Sequence, residues 1–135
     1  MYDFAGVFPE FGVLFWSVAL FAIYLFVQSG ISIAQNGLSY SVSPRDTQQP
    51  ESVYAGRADR ALKNFVQTWP AFIILVLVAQ VTSRADELTF WGAQLWFWAR
   101  LAYLPLYLLG IPYIRSLAWG ISILGLVLMF VGILF

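Results

Sequence analysis

Long, almost uncharged apolar runs alternate with short polar breaks along this chain, and that alternation sets the expected architecture. The runs predict four transmembrane helices, over about residues 11–33, 62–83, 88–111 and 116–135. Each is close to the ~20 residues that carry a helix across a ~30 Å hydrocarbon core. The period-two alternation of a barrel strand is absent, and backbone satisfaction in lipid then demands helices. The first run reads as a span and not as a cleaved signal. It is too long for one, and Asp3 and Glu10 precede it with no Lys or Arg between. Residues 34–56 form the one long connection, punctuated by Asn36-Gly37, Ser43-Pro44 and Gln48-Gln49-Pro50. The other links, near residues 84–87 and 112–115, are short and predict antiparallel neighbours. The expectation is an all-α membrane protein, a four-transmembrane-helix antiparallel bundle forming a single domain over residues 1–135.

Composition sharpens the class. The chain is 61% hydrophobic and 10% charged, where a soluble domain carries about 25% charged residues. Net charge is zero, so no nucleic-acid partner is implied. Cysteine and histidine are both absent, which leaves no thiolate nucleophile or disulfide and makes a metal site improbable. Any thiol chemistry needs a thiol brought by a substrate. All seven acidic residues lie outside the hydrocarbon runs, which argues against a proton-coupled exporter. Arg45, Arg57, Arg60, Lys63 and Arg115 lie on one side of the expected membrane and Arg84 on the other. That bias orients the long connection to the cytoplasm, with both termini outside.

Two polar faces enter the apolar runs. Arg57, Arg60, Asn64 and Gln67 are spaced by three, four and three residues, which puts them on one helical face. Arg100 falls twelve residues after Leu88, roughly 18 Å along a helix at 1.5 Å per residue, and Tyr103 and Tyr107 share its face. Arg115 stands at the following turn. Singly, these residues read as interfacial anchors, interhelical hydrogen bonds or aromatic packing. Arg100 reads otherwise, because an arginine at mid-membrane depth costs at least ~2.5 kcal/mol on insertion. Together they read as a basic cavity for an anionic ligand, with an internal structural network as the competing reading.

The stretch Arg57-Ala58-Asp59-Arg60-Ala61-Leu62-Lys63-Asn64, followed by Gln67 and Pro70, resembles the signature of the membrane-associated proteins in eicosanoid and glutathione metabolism, the MAPEG family. Ala99-Arg100 with Tyr103 and Tyr107, and Ile114-Arg115-Ser116, are similar to two further family segments. The resemblance covers the whole chain and is to a short bacterial-type member. It implies a homotrimer in a bacterial inner membrane, with membrane lipids and a lipophilic small molecule as partners. It implies glutathione as co-substrate of a transferase or peroxidase acting on lipophilic electrophiles or lipid hydroperoxides. Non-catalytic lipid-binding or scaffold proteins share the family, and that is the alternative. Arg57, Arg60, Asn64, Gln67, Arg100, Tyr103 and Tyr107 would then bind glutathione, and Arg115 would stabilise its thiolate as the catalytic residue. Gln67 stands where the family motif has glutamate.

Overall fold

A computed structural model describes residues 9–44, 46 and 52–135. Five helices follow one another in chain order: α1 (Pro9–Asn36), α2 (Leu38–Val42), α3 (Val53–Val81), α4 (Glu87–Leu108) and α5 (Pro112–Leu134). Among the described residues there is no strand. Within the expected connection, residues 34–36 still belong to α1 and a short helix, α2, forms before the chain reaches α3. Arg45, counted in the basic bias, and Gln48, Gln49 and Pro50 lie outside the described residues.

The helix ends follow from local chemistry. The Ser52 hydroxyl accepts from the Ala55 amide at 3.1 Å and starts α3. Asp86 and Thr89 form a reciprocal capping box at α4: the Thr89 amide donates to Asp86 Oδ1 at 3.0 Å and the Asp86 amide to Thr89 Oγ1 at 2.8 Å. Pro112 occupies the first turn of α5, where a missing N–H costs nothing. Gly110, between α4 and α5, has φ 71°, and a Cβ there would sit 2.7 Å from Arg57 Nη2. The turn thus needs glycine both for its backbone and for the guanidinium packed on it.

The expected four spans are corrected to three. Among the described residues, Glu10–Asn36, Val53–Val81 and Pro112–Leu134 are long and apolar enough to cross a membrane. The helix expected as the third span, α4, is not. Its 22 residues would reach about 33 Å, so length is not the obstacle. The obstacle is its content of Glu87, Gln94, Arg100, Pro105, three tryptophans and two tyrosines. The uncharged-run reading counted only charges, and indole, phenol and amide groups also lower apolarity, though each less than a charge does.

Long helices adjacent in the chain pack antiparallel. Trp69 Nε1 on α3 donates to Ser17 Oγ on α1 at 3.0 Å, and Gln80 Nε2 to Glu10 Oε2 at 3.2 Å. Between α4 and α5 the backbones nearly touch. A Cβ at Gly92 would lie 2.5 Å from the Gly125 carbonyl oxygen, and one at Gly125 would lie 2.5 Å from that of Gly92. Small residues permit this approach, as at other interfaces between membrane helices. The core between α1, α3 and α4 is aromatic: Phe72 stacks on Trp96 at 4.0 Å and Phe21 on Trp69 at 4.8 Å. Phe15, Trp16, Phe26, Ile74, Trp98 and Phe130 point outward. That exposed apolar surface suits an integral membrane protein, whose surroundings are as apolar as its side chains.

At one end of the bundle, buried Glu10 of α1 accepts from Thr89 Oγ1 at 2.8 Å and from Gln80, tying α1, α3 and α4 together. The other end, where the first turns of α3 and α5 meet the last turns of α4, carries the polar faces read from the sequence.

Candidate functional site

Arg100 is fully buried on α4, and taking a guanidinium out of water is costly. Its Nη1 donates to Asn64 Oδ1 on α3 at 2.5 Å, and its guanidinium lies 5.1 Å from the Tyr103 ring centroid. Its Nε and Nη2 have no hydrogen-bond partner among the described residues. The Tyr24 hydroxyl of α1 donates to the Arg100 backbone carbonyl at 2.5 Å and braces that turn of α4. Two unmatched donors on a permanently charged group are uncommon in a protein interior and ask for an explanation.

Next to this centre lies a cleft of about 210 Å³, lined by Asn64, Tyr103, Tyr107, Arg115, Ser116 and Trp119. Tyr107 is its hub. Its ring centroid is 4.6 Å from the Arg115 guanidinium carbon and 5.9 Å from that of Arg60, and Arg60 Nε donates to its hydroxyl oxygen at 3.2 Å. Tyr103 meets the same ring edge-on, centroids 5.5 Å apart. The i, i+3, i+7 spacing of Arg100, Tyr103 and Tyr107 thus delivers one continuous face. The cleft combines cationic and hydroxyl groups with the Trp119 indole, which suits an anion with an apolar portion.

Six of the eight residues named from sequence converge here: Arg60, Asn64, Arg100, Tyr103, Tyr107 and Arg115. Of the eight, Asn64, Tyr103, Tyr107 and Arg115 line the cleft, Arg60 and Arg100 contact lining residues from behind, and Arg57 and Gln67 stand apart. Arg57 Nη1 donates to the Leu108 carbonyl at 3.0 Å, satisfying an orphan acceptor in the last turn of α4, and its guanidinium lies 5.8 Å from the Tyr54 ring. Gln67 is exposed and makes no hydrogen bond among the described residues. Three contributors were not named as site residues from the sequence. Trp119 follows Arg115 by four residues, a helical spacing that could have found it, and Ser116 is its immediate neighbour in the chain. Tyr24 was marked by being the lone phenol in an otherwise apolar run. Among the described residues no group of acidic side chains could hold a metal ion.

Comparison with curated proteins and with solved structures finds no match. A comparison with protein families finds one, the MAPEG family, over residues 13–135. That span contains every residue of the cleft. This integral membrane protein belongs to the MAPEG family, which includes both catalytic and non-catalytic lipid-handling membrane proteins.

Proposed function

We propose that the cleft binds glutathione and that the protein is a glutathione-dependent transferase or peroxidase for lipophilic electrophiles or lipid hydroperoxides. The observation that carries this reading is the set of guanidinium groups gathered around Tyr103 and Tyr107, with two Arg100 donors unmatched beside the cleft. Arg60, Asn64 and Arg100 supply donors for carboxylates, and charge-assisted bonds of that kind are about twice as strong as neutral ones. Tyr103 and Tyr107 form the floor. Arg115 stabilises the thiolate, because a nearby cation lowers a thiol pKa and raises the nucleophilic fraction. Glutathione, when bound, supplies the sulfur nucleophile that a chain without cysteine lacks. Self-assembly as a homotrimer would enclose the exposed edge of this site, where Arg60 and Gln67 stand open. The basic bias supports a cleft opening toward the cytoplasm.

The test is conjugation of glutathione to a chlorinated nitrobenzene in detergent, with the thiolate followed by ultraviolet absorbance. Arg115→Ala is expected to lower turnover while changing binding less, the pattern of an interaction made mainly in the transition state. Arg115→Lys should rescue only in part, since lysine lacks the planar donor fork. Unchanged turnover and thiolate signal in Arg115→Ala would move the non-catalytic lipid-binding reading ahead.

A further inference from the structure

Arg57 lies off the cleft, yet it holds the turn that joins two residues of the cleft wall. Tyr107 stands in the last turn of α4 and Arg115 in the first turn of α5. Both line the cleft, with the Arg115 guanidinium carbon 4.6 Å from the Tyr107 ring centroid. The backbone between them closes most of its own bonds. The Leu109 amide donates to the Pro105 carbonyl at 3.0 Å, that of Gly110 to Tyr107 at 3.1 Å and that of Ile111 to Leu106 at 3.2 Å. The Leu108 carbonyl is passed over. Its donor in a continuing helix would be the N–H four residues on, and that residue is Pro112, which has none. Arg57 Nη1 supplies the missing donor at 3.0 Å. The same guanidinium lies against Gly110. A Cβ there would be 2.7, 2.8 and 3.0 Å from Nη2, Cζ and Nη1, near-equal distances that set it over the face of the group. Among the described residues no other helix sends a side chain to hydrogen-bond this turn.

Proline removes an amide from the turn, glycine leaves a bare face on it, and one planar arginine fits both vacancies. We propose that Arg57 is a positioning residue: it fixes the α4–α5 turn, and through the turn the place of Arg115 opposite Tyr107, without touching the ligand. This rests on the reading in which Arg115 stabilises a glutathione thiolate. A cation lowers a thiol pKa only from close by, and a shift of about 1 Å at a reacting group can cost about a hundredfold in rate. Lysine would meet one of the two vacancies. Its ammonium can donate to the Leu108 carbonyl but has no planar face to lay on Gly110.

The experiment measures three quantities on the full-length protein in detergent at neutral pH: glutathione affinity by calorimetric titration, the thiolate fraction of bound glutathione by ultraviolet absorbance, and turnover with a chlorinated nitrobenzene. Arg57→Met should lower the thiolate fraction and kcat by about tenfold each, with affinity held within about twofold. Arg57→Lys should lose only about threefold, and it keeps the comparison open if Arg57→Met does not fold. Gly110→Ala leaves the Arg57 charge in place but displaces its guanidinium, and should lower the thiolate fraction in the same way. Arg57→Met/Gly110→Ala together should cost no more than the larger single change, because both act through one contact. Weaker glutathione binding with an unchanged thiolate fraction would mean that Arg57 touches the ligand. A lower unfolding midpoint with full thiolate signal would mean that it serves the fold alone. Either result, or additive losses in the double variant, overturns the inference while the glutathione reading stands. A parent protein with neither a thiolate signal nor turnover that depends on Arg115 overturns both.

Discussion

Replacing Asn64 by leucine tests whether Arg100 is retained for the fold or for a ligand. The substitution removes the one hydrogen-bond acceptor that the Arg100 guanidinium has among the described residues, while a side chain of similar bulk fills the space. A hydrogen bond to a charged group contributes about 1.5–3 kcal/mol, and breaking a buried charge pair by removing one partner costs about 3–5 kcal/mol. Asn64 is not itself charged and borders the cleft, so some water can reach the gap. We expect a loss of about 2–4 kcal/mol. Arg100→Met should behave differently. It removes the buried cation and both unmatched donors, and forfeits a cation–π contact at 5.1 Å worth about 0.5–2 kcal/mol. Buried charges replaced by apolar side chains are often neutral or stabilising, so the net change should stay within about 1 kcal/mol of zero. The double variant Asn64→Leu/Arg100→Met should recover most of what Asn64→Leu lost, a coupling of about 2 kcal/mol or more. The assay is equilibrium unfolding in mixed micelles, with glutathione titrations on the same preparations. Arg100→Met should keep stability and lose affinity. If it destabilises the protein as much as Asn64→Leu does, Arg100 is a structural residue and its unmatched donors do not point to a ligand.

Three further outcomes follow from the packing. Gly125→Ala would put a Cβ 2.5 Å from the Gly92 carbonyl oxygen; forced separation of α4 and α5 should cost about 1–3 kcal/mol, and an unchanged unfolding midpoint would refute the tight crossing. Glu10→Gln presents an amide N–H₂ to one of two donors, Thr89 Oγ1 or Gln80 Nε2; a loss of about 1–3 kcal/mol is expected, and equal stability would mean that the knot holds nothing. Ser43→Cys, introduced into a chain with no cysteine, should resist an impermeant reagent added outside intact cells, and labelling there would reverse the proposed orientation.

The helical fold was legible wherever one periodicity dominated. The stripe of Arg60 and Asn64 on α3 and that of Arg100, Tyr103 and Tyr107 on α4 were read from spacing alone, and the two faces meet through the Asn64 hydrogen bond. What spacing could not supply was rotation about the helix axis relative to a neighbour. Arg57 shares the polar face of Arg60, yet one turn earlier the neighbour is the end of α4, and its guanidinium serves an orphan carbonyl. Gln67 shares the face as well, but it lies on the exposed side. The Gly92–Gly125 contact was equally hidden, because two glycines distant in sequence have no pattern until their helices cross.

The corrected span count and the site have the same physical origin. Counting charges made α4 a span interrupted only by Arg100, but its Gln94, its tryptophans and tyrosines and its Pro105 also reduce its apolarity. Those residues do not act alike. Phe72 and Phe65 cover Trp96 in the core, Tyr103 and Tyr107 line the cleft, and Arg100 is closed in between Asn64 and Tyr103. The helix least suited to lipid therefore carries most of the polar apparatus, and α1 and α3 bury its polar groups on its behalf through Tyr24 and Asn64. A substitution that raised the hydropathy of α4, such as Arg100→Met, should for this reason make the protein easier to insert and no less stable, and remove the reason for keeping the cleft.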